Sequence, residues 1–334
     1  MKLSVLLGAL ALAALVAWML ANEGAMWRIL ELVRQAGWVG LVAVVLFHLT
    51  QIAFSAAAWR VLFGSTAPRP SFSFYMIARW IREAVNNLLP VAQIGGEFVG
   101  ARLLNRRCVE LRAAIASAIA DLTVELITQI AFTLMGLAVL LLTIGNGPTA
   151  RLVAGLLVVA AATAGAFIAV QWMGLAHLIE ICVMRIGRMV GWEGFDEEPG
   201  LHGALIAIYR APLRLLSAAF NHLISWLLGS IEVWLALHLI GRDVGLETAL
   251  VIESLGQALK AIGFAVPGAL GVQEGGYVIV CGLYGLSPET AIALSLIKRL
   301  REVALGLPAL AAWQWFEARP ARSNASWTSS RGAS

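Results

Sequence analysis

Residues that could bind a polar ligand are concentrated in two short segments of an otherwise apolar chain. The first segment runs from Arg79 to Glu97 and places arginine, asparagine, glutamine and glutamate side chains around Pro90. Adding 177 to its residue numbers leads to the second segment, in which Pro267 and Glu274 take the places of Pro90 and Glu97. We interpret the two segments as copies of one element in an internal repeat.

Charged side chains also lie inside the long apolar segments that follow the two copies. The first of these carries Asp121 and Glu125, and the same offset of 177 places Lys298 opposite Asp121, with the charge reversed. One charge at the centre of a membrane-spanning helix costs on the order of 2.5–3.5 kcal/mol. We therefore predict two buried ion pairs, Asp121 with Lys298 and Glu125 with Arg301 or Arg299.

Two interpretations of these buried charges stay open. In one, the ion pairs only hold two helices together, as polar side chains do between many membrane helices. In the other, they line a polar path through the bilayer for a hydrophilic headgroup, whose apolar tail stays in the lipid. The second interpretation gives a predicted binding and translocation set of sixteen residues: Arg82, Glu83, Asn86, Asn87, Gln93, Glu97, Arg102, Asp121, Glu125, Gln257, Lys260, Glu274, Lys298, Arg299, Arg301 and Glu302.

Within this set, the chemistry of each side chain indicates a role. Glu97 and Glu274 are predicted to carry coupling protons, and the asparagine and glutamine amides would supply neutral hydrogen bonds. We predict no catalytic residue, metal ligand or cofactor, because the histidines form no HExxH pair and Gly95-Gly96 lacks the Lys-Ser of a phosphate loop. Phosphate or hydroxyl groups of the ligand would bind four cations, Arg82, Lys260, Lys298 and Arg301.

The composition indicates a membrane protein. The 334 residues are 60% hydrophobic and only 13% charged, with a mean hydropathy of +0.82, whereas charged residues make up about a quarter of a soluble domain. The net charge of +4 does not indicate a nucleic-acid partner, because the arginines lie beside the apolar segments. The three cysteines are far apart and predict neither a disulfide framework nor a zinc site.

Hydropathy and length predict an all-α polytopic membrane protein with about six full spans and two re-entrant helical hairpins. The predicted spans cover residues 3–21, 38–63, 110–143, 149–173, 213–240 and 288–316. A cleaved signal peptide is the alternative for the first of them. We favour a retained span, because its apolar run is long and Met19-Leu20-Ala21 lacks the small residue expected three places before a cleavage site.

The hairpins are predicted over residues 72–107 and 247–284. Proline disfavours α geometry in the residue before it, so Pro90 ends the first half-helix. Polar non-helical backbone at membrane depth is tolerated only within protein or beside a water-filled cavity. The alternative is an interfacial helix followed by a loop. The predicted turn residues are Pro90, Gly95, Gly96, Pro267, Gly268 and Gly271.

The distribution of arginine places both termini in the cytoplasm, since Lys and Arg are enriched in cytoplasmic loops. With six spans, the two copies then have opposite orientations, which is a transporter architecture. We predict one transmembrane domain over residues 1–318. It contains repeat A at about 36–143 and repeat B at about 213–316, and a disordered cytoplasmic tail follows over 319–334.

Two motifs resemble the signatures of a known family. Asn-Asn-Leu-Leu-Pro-Val-Ala-Gln-Ile-Gly-Gly-Glu97, followed by Ala101-Arg102, and Val-Pro-Gly-Ala-Leu-Gly-Val-Gln-Glu274 are similar to those of the flippase-like membrane proteins. That family includes the membrane half of lysylphosphatidylglycerol synthase. The run Arg-Trp-Ile-Arg-Glu-Ala-Val-Asn-Asn87 most resembles the members associated with hopanoid biosynthesis in Gram-negative bacteria.

The resemblance implies a bacterial inner-membrane protein that translocates lipid between leaflets, with a membrane lipid as its substrate. Hopanoid or a related polar lipid is the expected cargo. One alternative is a non-catalytic scaffold for other membrane proteins of a lipid pathway. The other is an intramembrane lipid-modifying enzyme that uses Asp121 and Glu125 as acid and base. Lipid aminoacylation is not expected, because no soluble segment of this sequence exceeds about 40 residues.

Overall fold

The computed structural model describes residues 24–63, 70–89, 95–107, 109–144, 200–262 and 269–319. Within these ranges the regular secondary structure is helical. The predicted spans at 3–21 and 149–173 and the tail beyond residue 319 lie outside the described residues. The described helices are α1 (Ala25–Leu62), α2 (Phe72–Leu88), α3 (Gly95–Asn105), α4 (Leu111–Ile144), α5 (Gly200–Tyr209), α6 (Pro212–Leu239), α7 (Leu246–Ile262), α8 (Val272–Leu283) and α9 (Pro288–Ala318).

Three of the described helices are long and apolar enough to cross a membrane. They are α1, the Leu111–Thr143 part of α4, and α6, which correspond to the predicted spans at 38–63, 110–143 and 213–240. Helix α9 has 31 residues, a sufficient length. However, Lys298, Arg299, Arg301 and Glu302 lie in its middle, so its composition is not that of an ordinary span, and its crossing stays a prediction.

Helix α1 begins earlier than predicted, and the connection expected between residues 23 and 34 is helical instead. Ala25, Ile29, Leu32 and Ala36 recur every three or four residues and are buried, so they form the apolar face of an amphipathic helix. Gly37, with φ of 65° and ψ of 173°, then separates this piece from the apolar part of α1. The sequence prediction missed it because charged residues occupy its other face.

The two predicted hairpins are pairs of short helices. Helix α2 packs against α3, and α7 packs against α8. Helix α2 ends two residues before Pro90, as the restriction on residues preceding proline requires. The second helices of the pairs were predicted to start at Glu97 and Tyr277. Both start earlier, because Gly95 and Gly96 belong to α3 and α8 begins at Val272. Pro90, Pro267 and Gly268 lie outside the described residues.

The helices of the two halves contact one another in matching pairs. Helix α1 packs against α6, helix α2 against α9, and α7 against α4. The contacts of α1 with α9 and of α6 with α4 also correspond. If α1–α4 are equivalent to α6–α9, every one of these contacts has its counterpart. This is the packing that two related halves around a two-fold axis would show, and their orientation relative to a bilayer stays a prediction.

Two apolar cores support this arrangement. One surrounds α2 and α3 and includes Trp59, Tyr75 and Leu104. The other surrounds α6, α7 and α8 and includes Leu237 and Tyr277. Both cores contain many alanines, and small side chains let membrane helices approach closely.

Candidate functional site

Buried ions fill the space between the helices in two groups. The first ionic cluster joins α2, α3, α4 and α6. Its centre is Arg82, which is only 1% exposed. The Arg82 guanidinium donates to Asp121 Oδ2 at 2.8 Å and to Glu97, and its central carbon lies 4.4 Å from the centre of the Trp59 ring. The members of this cluster are Arg79, Arg82, Glu97, Asp121, Glu125 and His222.

Arg79 and His222 complete the first ionic cluster. Arg79 forms a two-bond contact with the Glu125 carboxylate, with Nη1 donating to Oε2 at 2.8 Å. It also lies 3.5 Å from Asp121 Oδ2. The Nε2 atom of His222 lies 3.0 Å from Asp121 Oδ1. Asp121 therefore has cationic or hydrogen-bonding partners on both α2 and α6, and two-bond guanidinium–carboxylate contacts of this kind fix geometry as well as charge.

The predicted turn residue Gly96 has a different role, which is to let α3 lie close to α2. A Cβ atom at this position would collide with the backbone oxygen of Arg82 and lie 2.9 Å from Asn86 Oδ1. Without a side chain there, the Gly96 backbone N–H donates to Asn86 Oδ1 at 2.8 Å. One turn later, a Cβ at Gly100 would lie 2.6 Å from Arg82 Cδ. The two glycines therefore form the groove that holds the Arg82 side chain.

The second ionic cluster joins α1, α2, α6, α7, α8 and α9. His48 lies at its centre, with Nε2 2.7 Å from Glu83 Oε1 and Nδ1 2.8 Å from Glu232 Oε2. Glu232 also accepts from Arg301 and, at 2.6 Å, from Gln51 Nε2. The members of this cluster are His48, Glu83, Glu232, Glu253, Lys260, Glu274, Lys298, Arg299, Arg301 and Glu302.

Glu302 links three cations within the second ionic cluster. Lys260 Nζ donates to its Oε1 at 2.9 Å, and Arg299 Nη1 donates to its Oε2 at 3.2 Å. Arg301 Nη2 lies 3.6 Å from Oε1. Arg299 also donates to Glu274 at 3.2 Å, and this bond ties the start of α8 to α9.

Glu253 holds the remaining cation of the second ionic cluster. Lys298 Nζ lies 2.5 Å from Glu253 Oε2, and both side chains are 3% exposed. Gln257 donates to the same carboxylate at 2.8 Å and the Tyr277 hydroxyl at 3.2 Å. Buried charges require this degree of pairing and hydrogen bonding to offset the cost of leaving water.

The predicted pairing between the two halves was wrong. Asp121 and Glu125 pair with arginines of α2, and Lys298 pairs with Glu253 of α7. The physical reason is that oppositely charged residues already face each other within each half. Arginines of α2 lie beside the acids of α4, and Glu253 of α7 lies beside Lys298 of α9. Helices α2 and α7 start 174 residues apart, so Glu253 occupies the position equivalent to Arg79.

Sequence reasoning missed several members of the clusters. The predicted set did not contain five residues that each pair with one of its members, namely His48, Arg79, His222, Glu232 and Glu253. An offset of 174 in place of 177 would have revealed four of them, but not Glu232, whose counterpart would be Ala58. It aligns His48 with His222, and Arg79 with the oppositely charged Glu253.

The remaining predicted residues divide between the site and other places. Asn87 Oδ1 accepts from Lys260 at 3.4 Å and so borders the second ionic cluster. Arg102 does not join either cluster, because it donates to Glu317 at 2.8 and 3.0 Å near the end of α9. Gly271 precedes α8 with φ of 80°, and its N–H donates to Glu274 Oε2 at 2.8 Å. Gln93 lies outside the described residues.

Among the described residues, one group has the ligand types and spacing of a metal site, namely Asp121, Glu125 and His222. One ligand atom from each lies within 4.8 Å of the others. However, Arg79 and Arg82 donate to both carboxylates, so a divalent cation would have to displace two guanidiniums. The arrangement favours an ion-pair network over a metal centre.

A narrow cleft opens beside the second ionic cluster between α1, α2 and α9, with space for about one water-sized group. Polar groups on its wall come from Glu83, Asn87 and Glu302. Trp80 also lines it, and in the described part of the chain the buried Trp80 Nε1 has no hydrogen-bond partner. The apolar lining residues are Ile52, Ala84, Leu305 and Gly306.

Long apolar helices packed around two buried ionic clusters define a polytopic α-helical membrane protein. Residues 5–309 match the model of the family described as the lysylphosphatidylglycerol synthase TM region, and the chain belongs to this family. No curated protein and no solved structure matches the chain significantly. The match confirms the resemblance at the family level and points to a lipid-related function in a membrane. The hopanoid-associated branch stays a prediction.

Proposed function

We propose that the protein translocates a lipid between the leaflets of the bacterial inner membrane, with hopanoid or a related polar lipid as its cargo. The observation that carries this proposal is the cleft between α1, α2 and α9. One part of its wall is polar and ionic, and the rest is apolar. This is the division that a headgroup and the beginning of its tail would need.

The size of the cleft favours a headgroup over a whole lipid. The cleft has space for about one water-sized group, far less than the roughly 300–1,000 Å³ of pockets that enclose a drug-sized molecule. A lipid bound here would place its polar end against Glu83, whose side chain is partly exposed, and leave most of its tail in the bilayer. Gly306, on the wall, keeps α9 close to Leu88 of α2.

The charges around the cleft favour a hydroxylated headgroup over a phosphate. The cations expected to receive phosphate are already engaged, with Arg82, Lys260 and Lys298 each paired to a carboxylate. The wall itself carries carboxylates. The Glu302 side chain is 2% exposed and held by three cations, whereas Glu83 is 27% exposed and can accept from a ligand. Carboxylates only accept hydrogen bonds, so they suit the hydroxyl donors of a polyol.

The same geometry argues against the enzyme alternative. Asp121 and Glu125 would have to exchange protons with a substrate, yet both accept hydrogen bonds from the guanidiniums of α2. In a scaffold the ionic clusters would only hold helices together, and the part-polar cleft beside the second ionic cluster would have no use.

The test is lipid exchange in liposomes of phosphatidylethanolamine and phosphatidylglycerol that contain the purified protein. We expect fluorescent bacteriohopanetetrol to reach the opposite leaflet several-fold faster than in protein-free liposomes. Fluorescent phosphatidylglycerol and lysylphosphatidylglycerol serve as the comparison lipids. Ala84→Leu, which fills the cleft, should slow the exchange, whereas Leu307→Phe at an exposed position of α9 should not. Equal rates with and without protein for all three lipids would refute translocation.

A further inference from the structure

We propose that His48 is a proton-binding site and that the proton it holds is coupled to lipid movement. The coupling rests on the proposed function, whereas the proton site itself does not. Neither role was expected from the sequence, which assigned coupling protons to Glu97 and Glu274. The inference depends on the hydrogen-bond partners of the His48 ring, on the charge of its surroundings and on its position beside the cleft.

The two ring nitrogens of His48 each face a carboxylate. The ring is 6% exposed, and its Nε2 lies 2.7 Å from Glu83 Oε1. Its Nδ1 lies 2.8 Å from Glu232 Oε2. An ionised carboxylate has no proton to donate, so both contacts are hydrogen bonds only when both nitrogens carry protons. In that state the ring is a positively charged imidazolium.

A third partner gives His48 a satisfied neutral state as well. Arg301 Nη1 lies 2.8 Å from His48 Nδ1, and a guanidinium can only donate. When Nδ1 loses its proton, it accepts from Arg301, while Nε2 continues to donate to Glu83. When Nδ1 carries its proton, it donates to Glu232 Oε2, and Arg301 Nη1 donates to Glu232 Oε1 instead. The proton can therefore arrive and leave without leaving a buried ring nitrogen unpaired.

The charge of the second ionic cluster provides the second observation. Among the described residues, its five carboxylates face four cations, so the cluster carries a net charge of −1 when His48 is neutral. Protonation of His48 brings the net charge of the second ionic cluster to zero, and a cluster without net charge is favoured in apolar surroundings. The first ionic cluster shows the same relation, with three carboxylates, two arginines and His222.

Glu83 connects this proton site to the cleft. Its carboxylate accepts from His48 and also lines the cleft wall, and its side chain is 27% exposed. A cargo hydroxyl that donates to Glu83 competes with His48 Nε2 for the same carboxylate. Cargo binding then weakens proton binding, and by linkage proton binding weakens cargo binding to the same degree.

The proton site is tested by nitrogen NMR of the full-length protein in phospholipid nanodiscs, with ¹⁵N-labelled histidine. The chain has five histidines, and the signals lost in His48→Gln identify this ring. We expect both nitrogens to be protonated at about pH 7, near which an ordinary histidine is mostly neutral. A ring with one unprotonated nitrogen at that pH would show that His48 does not hold the proton and would overturn the site.

Two further variants keep this test decisive if His48→Gln does not fold. Glu232→Gln removes the negative charge beside Nδ1 and leaves the Arg301 cation there, so the His48 ring should become neutral at about pH 7. His238→Gln is the matched control, because His238 lies elsewhere on α6 and pairs with the exposed Asp243. The signal that changes in Glu232→Gln and persists in His238→Gln belongs to His48. No change in Glu232→Gln would contradict the proposal.

The coupling is tested with fluorescent bacteriohopanetetrol in proteoliposomes under an imposed pH gradient. We expect the gradient to change the exchange rate of the wild-type protein and of His238→Gln several-fold, and to have no effect on His48→Gln or Glu232→Gln. If the pH gradient does not change the exchange rate of the wild-type protein, the coupling is overturned, but the proposed function is not. No exchange by the wild-type protein under any gradient would overturn the proposed function and the coupling together, and the NMR result would still decide the proton site.

Discussion

Arg82 illustrates what a cation needs in the interior of an apolar protein. Its guanidinium has two carboxylate partners, Asp121 and Glu97, and an aromatic ring, Trp59, against one face. Each partner comes from a different helix. Removing one member of a buried pair leaves the other charge uncompensated, which is more costly than the pair is stabilising.

Replacing Arg82 with methionine should therefore destabilise the protein by about 3–5 kcal/mol. Arg102→Met is the matched control, because Arg102 is 41% exposed and its pair with Glu317 lies near the end of α9. A surface pair of that kind contributes about 0–1 kcal/mol. Thermal unfolding in detergent measures the stability of both variants. Equal losses of stability in Arg82→Met and Arg102→Met would show that burial of the charge does not determine the cost.

A double variant tests the pairing itself. The double variant Asp121→Asn with Arg82→Met should lose less stability than the sum of the two single changes. Each single change leaves the other charge without this partner, whereas the double variant removes both charges. Strict additivity in the same unfolding measurement would argue that Arg82 and Asp121 do not interact.

Glu317, at the end of α9 and outside the apolar part of that helix, gives a pH dependence with a defined sign. Burial alone would raise its pKa, but hydrogen bonds and charge from Arg102 and Arg106 outweigh that effect and lower the pKa. Its contribution to stability is therefore fully present above the ordinary value of 4.5 and is lost as the pH falls through the lowered value.

We expect acidification below pH 4.5 to loosen the last turn of α9 from α3, by less than about 1 kcal/mol because the pair is partly exposed. Hydrogen exchange of the backbone amides of residues 312–318 measures the opening. In Glu317→Gln this acid-dependent step should be absent, and an unchanged step would assign it to another group.

At the scale of the helices, the approach of α3 to α2 depends on glycine. Gly96→Ala forces a Cβ against the backbone oxygen of Arg82, which cannot move like a side chain. Overpacking of this kind costs typically about 1–3 kcal/mol. Gly275, inside α8, has open space where its Cβ would be, so Gly275→Ala should gain up to about 1 kcal/mol from helix propensity. Unfolding midpoints that shift in the same direction would contradict this account.

The helices that the sequence predicted well are those with strong local signals. Pro90 and the apolar runs located α2, α4 and α6, because chain stiffness and hydropathy act within one segment. The early start of α8 was missed, since it depends on Glu274 accepting from the Gly271 N–H, a cap with glycine in place of the usual hydroxyl or amide side chain. The ion pairs were missed for a different reason. Their partners are up to 184 residues apart, and only the packing of the helices selects among the available charges.

At the scale of the whole molecule, the matched contacts of the two halves predict a definite membrane topology. The inverted arrangement places the chain around Glu110 on the cytoplasmic side and the turn at Arg242 on the opposite side. The test uses Glu110→Cys and Arg242→Cys in a variant whose three native cysteines are serine. An impermeant maleimide added to intact spheroplasts should label only Arg242→Cys, and Glu110→Cys should react after permeabilisation. Labelling of both from one side would exclude the inverted repeat.

The two ionic clusters differ in the time at which a growing chain can complete them. Arg82 and Asp121 are 39 residues apart, so most of the first cluster can assemble once α4 has left the ribosome. His48 and Arg301 are 253 residues apart. The contacts of His48 in the second ionic cluster are therefore complete only after α6 and then α9 have been synthesised. During biogenesis, α1 and α2 therefore reach the membrane while His48 and Glu83 still lack some of their partners. An insertase that keeps these two helices away from lipid until synthesis ends would increase the yield of folded protein.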